Sequence, residues 1–274
     1  MTGKISKSLL AKRLGICRAT LYYESRINAR DKEVREQIEE TLASNPYYGH
    51  KRIAIALDMN KKRILRVMKK YGLTPLRRKK KGFVKIDDLN LPESPYRNRI
   101  KDFCPIVPDM VWCGDFTYIR FRDSFIYLAT IVDVYTREVI GFSLSRRHNR
   151  FLVKSAVLDA MKRRSSLPEY FHSDQGSEYQ SDEHATFLEK LGVTVSMSKK
   201  ASPWENPFQE SFYSQFKLEL GRIGQLDNEG QLAEAIYRQI YYYNNRRIHS
   251  ALKMSPRQFH QLALSKVGDL NKSV

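Results

Sequence analysis

From about residue 110 the chain changes its hydrophobic period, and this change constrains its architecture more than any other feature. VWCGDFTYIRF, SFIYLATIVDVYT and EVIGFSLS follow one another, with Arg122-Asp123 and Thr136-Arg137 as short polar breaks. Runs this rich in β-branched and aromatic residues, separated by so little chain, predict three successive antiparallel strands. A helix is expected from about Arg150 to Arg164, a short strand at Tyr170-Phe171, a helix over about 181–191 and a strand at VTVSM, 193–197. Three antiparallel strands followed by alternating helices and parallel strands make a mixed α/β sheet.

Three acidic residues fall where such a sheet would present them at one edge. Asp115 interrupts the first apolar run, Asp174 follows the short strand in YFHSDQGSEY, and Glu210 lies on a helix opened by SPWENPFQES. A carboxylate inside an apolar strand is costly unless a cation, a hydrogen-bond network or catalysis requires it. Three converging carboxylates repel, so they cannot all stay ionised in a cleft without a cation. Hard oxygen ligands suit Mg²⁺, and a pair of such ions suits phosphodiester chemistry. Taken alone, Asp174 reads better as an Asx turn, because it precedes Gln175-Gly176. Asp133 is a decoy on the second strand and is expected to serve the turn that follows it.

Glu210 gains support from helical geometry. Asn206 can cap the helix and Pro207 fits its first position. Phe208, Phe212 and Phe216 form an apolar stripe, while Glu210, Ser214 and Lys217 share another face. Lys217 reads either as a phosphate contact or as an ordinary exposed lysine. His172 is expected to be structural, and the same reading covers Asn244 and His249.

Charge divides the chain. Residues 1–85 hold 23 Lys and Arg against 7 Asp and Glu, a net +16, whereas residues 86–274 hold 25 against 23, a net +2. A block this basic favours a polyanion partner beside a near-neutral core. No apolar stretch approaches the roughly 18 residues that span a bilayer. The three cysteines, Cys17, Cys104 and Cys113, have no paired spacing, which excludes a disulfide framework and a zinc site. With no continuous apolar h-region near Met1, the protein is expected to be intracellular.

Punctuation divides the basic part further. In SLLAKRLGICRATLYY, Leu9, Leu10 and Leu14 share a helical face, Gly15 marks a turn and a second helix carries Arg18. The pattern predicts a helix–turn–helix-like segment over 1–30. A helical DNA-binding domain is expected over 31–74. In it Val34, Ile38 and Leu42 form one helix, Asn45-Pro46 breaks it, and Ile53 and Leu57 belong to another. Asn60 caps a third, with Ile64, Leu65, Met68 and Tyr71 inward and Lys62, Arg63, Arg66 and Lys70 outward. Lys51 and Arg52 join the expected DNA contacts. Residues 75–108 read as a basic, proline-containing linker whose Arg77 and Arg78 could track a phosphate backbone. The core is expected over 109–224 and a C-terminal helical segment over 225–274, helical from about Asn228 through Tyr243.

These motifs resemble the OrfB transposases of the insertion-sequence-three family, within the DDE transposase and retroviral integrase superfamily. The resemblance rests on WCGDFTY from Trp112, HSDQGSEY from His172, NPFQES from Asn206, with 35 residues between Asp174 and Glu210 (the family's spacing), and YNNRRIHSAL from Tyr243 followed by Ser255-Pro256. YGHKRIAIAL at Tyr48 and RVMKKYGL at Arg66 extend it into the N-terminal half. The resemblance implies an RNase H-like core, a helix–turn–helix-type N-terminal region and a catalytic, metal-binding triad of Asp115, Asp174 and Glu210. Two Mg²⁺ ions are implied, with Mn²⁺ able to substitute. The family also carries a basic residue at the position of Lys217, which favours DNA contact there.

It further implies metal-dependent 3′-end nicking and strand transfer on double-stranded DNA, namely the element's terminal inverted repeats and its target. A homo-oligomer in a synaptic complex, an OrfA-type partner or fusion, and a bacterial cytoplasmic, nucleoid-associated location belong to the same expectation. A non-catalytic DNA-binding or regulatory descendant is the alternative, and an RNase H-like nuclease without strand transfer is a third.

Overall fold

The computed structural model describes residues 6–23, 26–76, 96–101, 103–176, 178–179, 182–199, 202–221 and 223–271. The chain divides into two compact units, residues 1–77 and 78–274. Among the described residues no helix is long and apolar enough to cross a membrane.

The first unit is helical. α1 (Lys7–Arg13) is capped by Ser6, whose Oγ accepts from Leu9 N at 3.3 Å. Gly15, at φ +64°, makes the predicted turn, but the element after it is a five-residue 3₁₀ turn, Arg18–Tyr22, rather than an α-helix. The leucine face of α1 is also not a core. Leu9, Leu10 and Leu14 are exposed, and only Ala11 of this helix is buried. Helical spacing predicted the helix correctly, but nothing among the described residues covers that face.

The unit's core lies in α2 (Arg26–Ser44), α3 (His50–Ala56) and α4 (Lys61–Lys70). Val34 and Ile38 meet Ile53 and Ala54 of α3 and Ile64, Val67 and Met68 of α4, all buried. Val67 takes the place expected for Leu65, which is exposed. Asn60 caps α4 as its sequence predicts, accepting from Lys62 N at 2.8 Å. α3 and α4, joined by residues 57–60, form a short helix pair within the domain expected over 31–74.

The second unit is built on one sheet of order β3-β2-β1-β4-β5. Its strands are β1 (Val111–Phe121), β2 (Ser124–Asp133), β3 (Val139–Ser145), β4 (Tyr170–Ser173) and β5 (Thr194–Met197). The first three are antiparallel, and β4 and β5 join parallel to β1. α5 (Arg150–Arg163) and α6 (Asp182–Lys190) supply the crossovers, and α5 starts at Asn149, whose side chain accepts from Leu152 N. One face packs Trp112, Ala129, Ile131 and Phe171 against Val153, Ala156 and Leu188. Gly141 lets α5 lie close to β3, since a Cβ there would collide with the backbone of Ala156 and Ala160.

The other face packs Ile119, Phe121, Leu128 and Val139 against α7 (Pro207–Glu219) and α8 (Glu229–Asn245). α9 (Pro256–Asn271) completes the C-terminal segment. The expected linker does not extend to residue 108. Ile100 is buried with Val111 and Val134, and Arg99 N donates to Ser196 Oγ at 2.9 Å.

Candidate active site

The site forms where β4 stops. Its parallel register with β1 ends at Cys113 opposite His172. Extending that register by two residues sets Asp174 level with Asp115, which pairs on its other side with Thr130 of β2. Gly114 precedes Asp115 because a Cβ there would run into the Phe171 ring, 2.6 Å away, and approach Tyr179. β1 continues to Phe121 without β4 beside it, so Asp115 lies on a free edge.

Burial, aided by the neighbouring Asp174 and more weakly by Glu210, pushes the Asp115 carboxyl up to about 8. A hydrogen bond from Phe116 N at 2.7 Å and the Lys217 ammonium oppose the shift without cancelling it. Burial also raises Asp174, and Glu178 adds to the effect. One Asp174 oxygen accepts from Gly176 N at 3.0 Å, so the Asx turn readable in its sequence is formed. Glu210 is exposed in the first turn of α7 and is raised by partial desolvation. Among the described residues no three His, Cys, Asp or Glu side chains stand close enough to form a ready-made metal cage. Of the three carboxylates, Asp115 senses the charge of Asp174 and, more weakly, that of Glu210. As a donor set they are hard oxygens of the kind that hold Mg²⁺ or Mn²⁺.

Residues the sequence did not mark bring Glu210 to this edge. Gln209, fully buried beside it, donates to the carbonyls of Cys113 and Thr130 and accepts from Thr130 Oγ1 at 3.0 Å. One turn on, Tyr213 donates to the Asp115 carbonyl at 2.7 Å and accepts from Thr130 Oγ1 at 2.8 Å. α7 is thus bonded to the main chain on both sides of Asp115. Asn206 occupies the cap position but makes no cap bond, and its side chain points to the Gly114 carbonyl instead.

The C-terminal signature supports the same helix. Asn244 pairs with both the N–H and the C=O of Val139, at 2.9 and 2.8 Å, as a neighbouring strand would. Arg247, buried, donates to Glu219 at 2.8 Å and to Gln215 at 3.1 Å, both on α7.

The remaining predicted residues separate into groups. Lys217 lies at the far end of α7, its Nζ 4.9 Å from the centre of the Tyr118 ring. His172 is structural. It is fully buried, bonded through Nδ1 to Ser196 Oγ at 2.9 Å and lowered to about 4 by burial. Asp133 serves its turn, accepting from Tyr135 N and Thr136 Oγ1, both at 2.9 Å, and from Asp109 N.

In the helical unit Arg18, Lys51 and Lys62 are exposed, and Arg52 and Arg63 are half-buried. Arg66 is engaged internally, through two hydrogen bonds of 2.7 and 2.6 Å to Asp31. Arg77 and Arg78 lie outside the described residues.

Comparison with known proteins agrees with this geometry. Residues 107–203 match an integrase core domain family, and residues 191–256 match a second family of the same description. The transposase for insertion sequence element IS904 of Lactococcus lactis subsp. lactis (strain IL1403) is 36% identical over 162 residues, 58% of this chain and 64% of that protein. An uncharacterized 31 kDa protein of insertion element IS600 from Shigella sonnei is 31% identical over 229 residues, 79% of this chain and 84% of its own length. A chain in the cryoEM structure of the simian T-cell lymphotropic virus intasome with PP2A regulatory subunit B56 gamma shares the fold. Its TM-score is 0.51 at 15% identity, over 80% of this chain and 73% of that one. By fold, motif order and these relatives, the chain belongs to the OrfB transposases of the insertion-sequence-three family, in the DDE transposase and retroviral integrase superfamily.

Proposed function

We propose that the chain nicks the 3′ ends of a mobile element and joins them to new DNA, with Asp115, Asp174 and Glu210 as the catalytic carboxylates. The observation that carries this reading is the state of Asp115, a carboxyl on an open strand edge that burial and two further carboxylates hold at about 8. The Lys217 ammonium and the Phe116 N–H work against that shift without cancelling it, so a cationic cofactor is the natural complement. Two Mg²⁺ ions, or Mn²⁺ in their place, would supply activation of the attacking oxygen and neutralisation of the phosphate. Asp115, Asp174 and Glu210 would hold them. Lys217, on the side of α7 that carries Glu210, would hold a phosphate beside the carboxylates.

DNA recognition belongs to the helical unit. Lys51 and Arg52 on α3 and Lys62 and Arg63 on α4 would meet phosphates, with α4 as the element presented to a groove. Arg18, Arg77 and Arg78 complete the proposed contacts, and a multimer of this chain would bring two element ends together. An OrfA-type partner or fusion fits the family.

The test is a strand-transfer assay on labelled element-end DNA, with Mg²⁺ and with EDTA, for wild type and Glu210→Gln. Joined products that need both metal and Glu210 are expected. Binding without cleavage by the wild type would make the chain a DNA-binding protein only, and cleavage without joining would make it a nuclease.

A further inference from the structure

Further along the same strand edge lies a pair of rings that the chemistry above does not use. Tyr118, three residues beyond Asp115 on the free edge of β1 and so on the other face of that strand, is 58% exposed. Phe125, across the turn on β2, is 44% exposed and meets it edge to face, with ring centres 5.4 Å apart. The Phe125 position pairs with Arg120, whose side chain is exposed on the same face as Tyr118. Lys217 joins this surface to the site, since its Nζ stands 4.9 Å from the Tyr118 ring centre and its charge reaches the Asp115 carboxyl.

Single exposed apolar residues need no explanation. Here two large rings are locked together next to cations, at the open end of a site that is itself an anion-handling centre. Neither ring contributes to the cores on the two faces of the sheet. Aromatic faces flanked by Lys and Arg are the chemistry that captures unpaired bases, with stacking on the ring and the phosphates on the cations.

We infer that Tyr118, braced by Phe125 and flanked by Lys217 and Arg120, is a stacking platform for an unpaired base of the DNA strand next to the scissile phosphate. This rests on the reading of the carboxylate site as a DNA strand-transfer centre and adds to it how the end is held. Opening of the duplex beside the scissile phosphate would bring such a base within reach of the ring. A base stacked on Tyr118 would keep it open.

The test uses the full chain carrying Glu210→Gln, so that DNA is bound and not consumed, with Mg²⁺ present. The probe is a duplex ending in three unpaired nucleotides with 2-aminopurine at each of those positions in turn. Quenching of the 2-aminopurine on binding is expected at one position, together with a preference of about ten-fold for the frayed over the fully paired duplex. Tyr118→Ala should lose both the quench and the preference while binding the paired duplex within about two-fold of the parent. Tyr118→Phe should keep both, and Phe125→Ala should weaken them. A quench and preference unchanged in Tyr118→Ala, or absent from the parent protein, would overturn the inference. Wild-type chain on the same duplex reads the catalytic assignment separately. Absent cleavage with the quench retained would sink that assignment, whereas cleavage without a quench sinks only the platform.

Discussion

The helical unit and the sheet unit each hold a carboxylate that desolvation disfavours, and they treat it in opposite ways. Asp31 on α2 is fully buried and receives two hydrogen bonds from Arg66 and one of 3.0 Å from Lys70. The Arg66 guanidinium above all, and then Lys70, hold its carboxyl below the ordinary carboxylate range despite burial. Asp115 is enclosed as well, but its strongest neighbours are the protein around it and Asp174, and its carboxyl rises to about 8. A carboxylate whose charge is matched inside the chain ties helices together. One left unmatched at a strand edge keeps its affinity for something outside the chain. The basic helical unit uses Arg66 and Lys70 from its own supply for the first task, which removes Arg66 from the set of free phosphate contacts.

Exchanging the two acids should separate these roles most sharply. Asp115→Asn is expected to lower nicking and joining at least about 1,000-fold, as loss of a metal ligand does. The metal-free protein should meanwhile stay as stable as the wild type or become more so. Asp31→Asn should do the reverse, leaving the metal-dependent chemistry in place and lowering the melting temperature of the helical unit by about 5 °C. Equal loss of activity in both variants would erase the distinction.

The pH dependence of stability comes next in size. The folded Asp115 pKa lies above its unfolded value near 4, so the unfolded chain ionises first as pH rises. Its contribution therefore favours the fold below about pH 4 and is lost as pH climbs towards 8. Denaturant midpoints of the metal-free protein should show that fall, and Asp115→Asn should flatten it. Asp31, shifted downward, acts oppositely, because its contribution is present above about pH 4 and lost on acidification. The smallest effect is expected from Tyr213→Phe, which removes the bond to the Asp115 carbonyl while keeping the ring. It should cost about 1 kcal/mol in chemical denaturation and weaken metal binding.

Much of this was legible in the sequence, and the failures have identifiable causes. The five strands and their order followed from period and turn signals, because alternation along a strand is local information. The motifs marked Asp115, Asp174 and Glu210 as candidates, whereas the bonds that tie α7 to the Asp115 strand were not legible. Gln209 looks like a surface residue in NPFQES, but its partners are main-chain carbonyls of Cys113 and Thr130, and no residue type announces a carbonyl. Asn244 and Arg247 stood in a recognised signature, yet their bonds to Val139 and Glu219 depend on how α8 crosses the sheet. Leucine spacing in α1 predicted a helix correctly but could not say whether anything covers it. Arg66 read as part of an outward basic face because its partner Asp31 lies 35 residues earlier, on another helix.

The central claim is that Asp115 is held uncompensated for a divalent cation to complete. It is tested most directly by calorimetric titration of Mn²⁺ into the full chain at pH 7, repeated in buffers of different ionisation enthalpy. A carboxyl with pKa about 8 is mostly protonated at that pH, so metal binding should release close to one proton in the wild type and none in Asp115→Asn, which should also bind more weakly. Binding that releases no proton, or that Asp115→Asn leaves unchanged, would contradict the account.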